Sequence, residues 1–591
     1  MKNINKLQEL RDRMREAGVD AYYINTGDPH YSEYVAQAFR TRAWLTGFTG
    51  SAGTAIVTRD EALLWTDGRY FLQAADQLKD TGFTLMKAGE PGVPTTEAWL
   101  ADHLASDEVL GLNGNVVPEA FVRKLKKRFK PGVEIKHLTL VEDIWQDRPS
   151  LPQDPVYLQT IEFAGESAAD KIKRLREALA EQGADAALYV GLDDICWLYN
   201  FRGSDVPGTP VALSFALITE DKAYLFIDND KVPADLRPHF DGNGITLRGY
   251  DDVIATLQEE AGNIDVLALN MNRVGHGMFI RIPETIKVKP MRDLPQMMKA
   301  VLNETELACQ HRAYLKDSVA VTKFIYWLKH TIGKEPLTEI SVQEQLFAFR
   351  QAQENFIEDS FAPISAYGPN GAIIHYSATE ESNTKLEPRS FYLIDSGGQY
   401  RDGTTDITRT VSMGPLTEDE IDDYTYTLQS HIALADAIFR EGVDGYYLDA
   451  LSRQPLWRNY RDFNHGTGHA VGYLLGVHEG PQRVSRHPSD VAFKPGMVVT
   501  NEPGIYRAGR YGIRLENELL CERDREVDGM KFLRFRTVTY IPFDRDAIRA
   551  EYLSEREKHW LNTYHREVYE KLVPYLDEAE AAWLKAETAP L

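Results

Sequence analysis

The chain puts acids where strands look buried. Phe391-Tyr392-Leu393-Ile394 reads as a buried-type strand, and it ends in Asp395. Eleven residues later Asp406 falls inside a second strand pattern, Thr404 to Val411, and Asp402-Gly403 between the two is a hairpin turn signal. Gly397-Gly398 leave room for a bulge that adjusts register. A third apolar run, Met497 to Asn501, ends in Glu502 before a Pro503-Gly504 turn. Gly512 to Glu518 then alternates with period two, which sets Arg514, Glu516 and Glu518 on one face. Asp is depleted in strands, and a carboxylate buried without a partner is costly. A fold of this sequence must give these acids a cation, either an arginine such as Arg514 or a metal. One such acid alone reads as structural; a pair on adjacent strands opens the metal reading.

Histidines gather in the same region, as His465-Gly466-Thr467-Gly468-His469 and then His478-Glu479-Gly480-Pro481. Imidazole is a common metal ligand and proton carrier. Two glycines inside the HxxxH spacing argue against a helix, so this is not the HExxH zinc signature; they let backbone approach closely instead. Asp395, Asp406, Glu502 and Glu516, with His469, make a candidate ligand set. Four bare anions in one pocket would repel, and some would protonate. Two divalent cations bridged by shared carboxylates resolve that. Oxygen-rich ligation with one imidazole favours Mn²⁺ over a thiolate-loving metal. Glu518, on the face of Glu516, reads as structural.

A chain of 591 residues exceeds what one core holds, so several domains are expected. The first part alternates helix and strand signals in an α/β texture. A second part echoes it. Gly18-Val19-Asp20-Ala21 matches Gly183-Ala184-Asp185-Ala186, and Trp44-Leu45-Thr46-Gly47-Phe48 is echoed by Trp197-Leu198-Tyr199-Asn200-Phe201. Two α/β modules of similar build follow, residues 1–150 and 151–298, joined through a Pro-containing linker from Gln146 to Pro155. The third region, 299–591, opens with Asn303 and Glu306 in capping-box spacing before a long amphipathic helix. From Phe391 to Phe543 it reads as strand-rich. Its helical extension, about 552–591, carries an apolar stripe of Trp560, Leu561, Tyr564 and Val568, either core or interface.

Other classes are excluded. Cys196, Cys309 and Cys521 are too sparse for a disulfide framework and read as buried thiols. The charged N-terminus lacks an apolar signal region, and no apolar run is long enough to span a membrane. A formal charge of −23 is a poor match for a phosphate backbone, so no nucleic-acid partner is expected, and the cytoplasm is the default.

Asp395, Asp406, His469, Glu502 and Glu516, in that order and spacing, resemble the ligands of the pita-bread metallopeptidase family, which includes methionine aminopeptidase, prolidase and Xaa-Pro aminopeptidase. The words GPNGAIIHYSAT (368–379), DSGGQYRDGTTDITRT (395–410), HGTGHAVGYLLGVHEGP (465–481), TNEPGIY (500–506) and GIRLENE (512–518) carry the resemblance. RAWLTGFTGSAGTA (42–55) and TDGRYFLQA (66–74) extend it to the long, three-domain cytosolic subgroup. It implies two creatinase-N-like α/β modules ahead of an α+β pita-bread catalytic domain. It also implies two Mn²⁺ ions (Co²⁺, Zn²⁺ or Fe²⁺ being alternatives) with a bridging hydroxide that cleaves the N-terminal Xaa-Pro bond of peptides. Glu502 would pass the proton, His375, His465 and His478 would contact substrate, His375 and His478 would also be catalytic, with His478 stabilising the tetrahedral oxyanion or shuttling a proton, and Arg514 would orient an acidic ligand. A homodimer is implied as well. Arg42 and Asp67 would touch substrate or a partner subunit, or serve as structural turns. Prolidase, the metal-free creatinase and a non-catalytic peptide-binding relative are the alternatives.

Overall fold

The computed structural model describes residues 2–591. The chain forms two compact units, one of residues up to Thr160 together with Glu166–Pro295, the other of Ile161–Gly165 with Gln296–Leu591.

The first unit contains two six-stranded sheets. Across one, the order is Thr84–Lys87, Ala62–Thr66, Thr54–Thr58, Ala21–Asn25, Val109–Leu112, Glu134–His137. Across the other it is Ile245–Arg248, Ala223–Phe226, Phe215–Ile218, Ala186–Tyr189, Val266–Leu269, Lys287–Pro290. The pairing senses also match: the first strand is antiparallel to the second and parallel to the fifth, and the third is parallel to the fourth, in both. The repeated words do equivalent work. Gly18 and Gly183 end their helices at φ +62° and +66°, a conformation that costs an L side chain strain. Asp20 and Asp185 then accept the N–H of Val109 and Val266, the first residues of the neighbouring parallel strands, at 3.0 Å and 3.1 Å. Gly47 and Asn200, at matching places in the second repeated word, both take positive φ. The sheets meet through their fifth-strand loops, where Pro118 pairs with Gly275 and His276 Nδ1 lies 2.6 Å from Glu119 Oε2.

The second unit opens with helix Glu304–Thr331, whose Asn303 and Glu306 form the expected capping box. Helix Glu339–Gln351 packs on it. A three-stranded sheet (Ile364–Tyr367, Phe391–Ser396, Ile407–Ser412) and a four-stranded one (Ile438–Arg440, Met530–Thr537, Asn517–Val527, Val498–Asn501) carry the acids. Buried Arg409 joins the two, donating to Glu516 C=O at 2.6 Å, to Asn517 Oδ1 at 2.7 Å and to Ile541 C=O at 2.7 Å. Two helices, Glu418–Ala435 and Gly445–Arg458, interrupt the region the sequence reads as strand-rich; their caps, Thr417 and Asp444, are the signals that reading passes over. The C-terminal stripe is core. Leu561, Tyr564 and Val568 are buried in one cluster with Tyr424 and Phe543, and Trp560 is partly buried against it.

A Cβ at Gly18 would meet no atom within 4 Å and one at Gly183 only Lys289 Nζ at 3.6 Å, so alanine there is opposed by backbone conformation alone. Gly18→Ala and Gly183→Ala should each cost about 1–2 kcal/mol. Urea or thermal unfolding should show similar losses; a loss at only one would contradict structural equivalence of the repeats.

Candidate metal centre

The five ligand candidates converge. Asp395 sits in strand Phe391–Ser396, opposite Ile364 on one side and Thr408 on the other. Asp406 is not inside a strand, contrary to the sequence reading. It lies in a break between Gly403–Thr404 and Ile407–Ser412, because its N–H leaves the ladder and donates to Glu518 Oε1 at 2.8 Å. Gly397 permits the break, since a Cβ there would stand 1.8 Å from Thr405 O. His469 lies in strand Gly468–Ala470, and a Cβ on Gly468 would stand 1.8 Å from Thr500 O, which accounts for a glycine in this histidine-rich word. Glu502 follows strand Val498–Asn501, with Pro503 stopping the ladder. Glu516 bridges Tyr511–Arg514 and Asn517–Val527, and its N–H donates to Thr408 O at 3.1 Å.

Their side chains face one pocket. Ligand atoms of Asp395, Asp406 and Glu516 fall within 4.8 Å of one another, as do those of His469, Glu502 and Glu516, and of Asp406, His469 and His478. His469 Nδ1 lies 3.0 Å from Ala470 O, which makes it the donor and leaves the Nε2 lone pair 3.4 Å from Asp406 Oδ2 and 3.8 Å from Glu502 Oε1. Thr408 Oγ1 donates to Glu516 Oε2 at 2.7 Å and Arg514 Nη2 to Asp395 Oδ2 at 2.6 Å.

Burial dominates the electrostatics. It pushes Asp395 up, only partly countered by Arg514 and reinforced by Asp406. It drives Glu516 well above the carboxylate range, with Asp406, Asp395 and Glu502 adding repulsion. Glu502 is pushed up to about 7 by the same burial, against the pull of His469 and Arg514. The neighbouring acids hold Arg514 firmly charged against its own desolvation.

His465 and His478 adjoin the same ligands, and His375 lies near His465. His465 is held neutral by burial. Its Nδ1 donates to Gly466 O at 2.7 Å, so its Nε2 accepts from Tyr506 OH at 2.8 Å. Tyr506 in turn accepts from Arg514 Nη1 at 2.8 Å, and His465 Nδ1 stands 3.8 Å from Glu502 Oε2. The His478 ring lies edge-on to His469 at 4.4 Å, and its nitrogen joins a ligand group although the sequence assigns it to substrate. His375, half-buried in a turn, is close enough for its charge to bear on His465. Sequence reasoning missed Tyr506, Thr408 and Tyr314, whose OH donates to Glu518 Oε2 at 2.6 Å. Tyr506 ends a quoted word and so was visible, but its hydroxyl bridge was not. Arg42 is committed inside the first unit. It is buried and bonds Thr26 Oγ1, Phe48 O and Gly50 O, while Asp67 pairs with Arg69 at 2.9 Å.

The donor set fits a pair of divalent cations. Oxygens dominate it, one imidazole lone pair is aimed inward, and buried Asp395 Oδ1 has no hydrogen-bond partner. Such an oxygen is expensive to bury unless a cation meets it. In the metal-free site the raised pKa values mean that protons take the cation's place. The fold gains from Glu502 protonation at low pH and loses that gain as pH rises through about 7. Protons therefore compete with metal at pH 6 and much less at pH 8. The rise in Tm on adding Mn²⁺ to chelator-treated protein should be larger at pH 8 than at pH 6; equal rises would contradict a proton-held pocket.

Known proteins resemble this chain in sequence and fold. A model of metallopeptidase family M24 matches residues 308–523 and one for the C-terminal region of that peptidase matches 531–591. Creatinase/prolidase N-terminal domain models match 6–144 and 147–306. Aminopeptidase P2 of Arabidopsis thaliana is 39% identical, over 99% of this chain and 88% of that protein. A probable Xaa-Pro aminopeptidase P of Neurospora crassa is 37% identical, over 99% and 89%. The crystal structure of an X-prolyl aminopeptidase from Caenorhabditis elegans, described as a cytosolic enzyme with a di-nuclear active site, superposes with TM-score 0.96 at 34% identity, covering 100% of both chains. A Bacillus anthracis Xaa-Pro dipeptidase shares the fold over 64% of this chain and 99% of its own, at TM-score 0.52 and 24% identity. With two creatinase-type sheets ahead of a pita-bread unit that gathers five ligand candidates, this chain belongs to metallopeptidase family M24, among its aminopeptidase P members.

Proposed function

We propose that this chain is a di-metal aminopeptidase that hydrolyses the N-terminal Xaa-Pro bond of peptides. The convergence of Asp395, Asp406, His469, Glu502 and Glu516 on one pocket carries the reading. Those five would hold two divalent ions, and the oxygen-rich set favours Mn²⁺. When bound, the ions lower the pKa of a water and polarise the scissile carbonyl.

The chain's own residues supply the rest. Glu502 has one oxygen toward His469 and the other toward His465, which suits it to move a proton between water and the leaving amine. His478, beside His469, is placed to stabilise charge developing on the carbonyl oxygen. His375 and neutral His465 form the polar wall that meets substrate. Arg514 fixes Asp395 and, through Tyr506, the tautomer of His465. The substrate class has a physical logic. An Xaa-Pro bond is a tertiary amide without an N–H, so a site that reads the scissile N–H cannot use it, whereas metals and acids can receive the free amine.

The same reading places the enzyme in the cytosol; among the described residues no helix is long and apolar enough to cross a membrane. It also makes the enzyme a homodimer. Helix Gly445–Arg458 and the turn after it support that with exposed large apolar side chains: Tyr446, Tyr447 (69% exposed), Leu451, Trp457 (48%) and Tyr460 (93%).

Release of the first residue from Arg-Pro-Pro in the presence of Mn²⁺, abolished by chelation, tests the activity; cleavage of Xaa-Pro dipeptides alone would move the chain to prolidase. Glu516→Ala should lower kcat/KM by at least about a thousandfold with the fold intact by circular dichroism. Trp457→Glu should shift the chain to monomer in light scattering, and an unchanged mass would remove this helix from any interface.

A further inference from the structure

The segment that presents His375 has little regular structure. After strand Ile364–Tyr367 it makes a short 3-10 turn at Gly368–Ala372 and then runs irregularly to Thr384. Its inner side presses on the hairpin of strands Gly504–Arg507 and Tyr511–Arg514 so closely that a Cβ at Gly512 would stand 1.7 Å from Gly371 O, and Arg514 Nη2 donates to Ile374 O at 3.4 Å. One buried side chain holds its outer side. Glu339, the first residue of helix Glu339–Gln351, is 0% exposed. Its Oε1 accepts Tyr367 N–H at 2.7 Å and Asn370 Nδ2 at 3.0 Å. Its Oε2 accepts Tyr376 OH at 2.8 Å and Thr384 N–H at 2.9 Å. These donors come from both ends of the segment and from the residue next to His375. The Glu339 main chain adds two more bonds, its N–H to Thr384 O at 3.1 Å and its C=O from Ser365 Oγ at 2.6 Å.

We infer that Glu339 is the positioning residue of the substrate wall: a single buried carboxylate that fixes the 367–384 segment and thereby sets where His375 meets the peptide. The inference rests on the reading of His375 as a substrate contact. A carboxylate suits the task because it only accepts, and every partner here only needs to donate. It sits at the N-terminus of its helix, where negative charge is favoured. A glutamine of the same shape would turn an NH₂ toward donors and leave buried N–H or O–H groups unpaired. Glu339 bonds none of the five ligand side chains in the hydrogen bonds above, so its effect reaches the chemistry through the loop, and bound metal has to be measured because Arg514 links that loop to Asp395.

The test is a double-mutant cycle on E339Q and H375A, read as kcat and KM for an Xaa-Pro-Yaa peptide, with bound metal and Tm measured alongside. E339Q should raise KM about tenfold and change kcat by less than about threefold, with metal content unchanged. In the H375A background E339Q should add almost nothing, because both act on one contact. Additive effects, or an unchanged KM in E339Q, would overturn the inference. If H375A alone leaves turnover and KM unchanged, the reading of His375 falls and takes the inference with it. If E339Q does not fold, Y376F, which removes one donor and no charge, takes its place in the cycle. It should raise KM by about twofold to threefold in the wild type and not in H375A, and additivity there overturns the inference equally.

Discussion

The cost of removing four neighbouring carboxylates from water governs this structure. Asp395, Glu502 and Glu516 all lie above their ordinary range, first because burial penalises their charged forms and then because nearby acids, Asp406 in every case, add repulsion. The surrounding architecture answers that repulsion. Arg514 neutralises one oxygen of Asp395, Thr408 donates to Glu516, and Glu518 with Tyr314 fixes the backbone of Asp406. Arg409 locks together the two sheets that bring Asp395 and Glu516 into one pocket, and it does so with a charge directed at carbonyls and an amide. One Arg and one imidazole cannot balance four acids, and that imbalance is what a pair of cations meets.

The global charge of −23 therefore misdescribes the site. Four of those acids serve as ligand candidates and are not free negative surface, and with two divalent ions the pocket approaches neutrality. The chemistry follows from the same balance. A pocket of satisfied carboxylates can accept a cationic amino terminus and a bond without an N–H, whereas the neutral His465 supplies polarity without further charge.

Much of this was legible in the sequence because the decisive residues break local rules. An acid at the end of an apolar strand is anomalous without a partner, so Asp395 and Glu502 announced themselves. The repeated Gly-x-Asp-Ala words announced two equivalent sheets because each glycine and each aspartate has one physical task. What stayed hidden depends on tertiary contact. Asp406 lies in a strand break set by Glu518, more than a hundred residues away in sequence. Tyr506 is an ordinary aromatic until its hydroxyl is seen between Arg514 and His465. Glu339 looks like a helix-opening acid until four donors from one loop close on it. The C-terminal stripe carried no label for what would cover it, and the fold covers it from within.

A pair of divalent cations among the acids is what makes their burial tolerable. Elemental analysis of the purified, Mn²⁺-loaded chain after removal of excess metal tests it most directly. Two ions per chain are expected, falling in Asp395→Asn in proportion to lost activity. A fully active chain that retains one ion or none would contradict it.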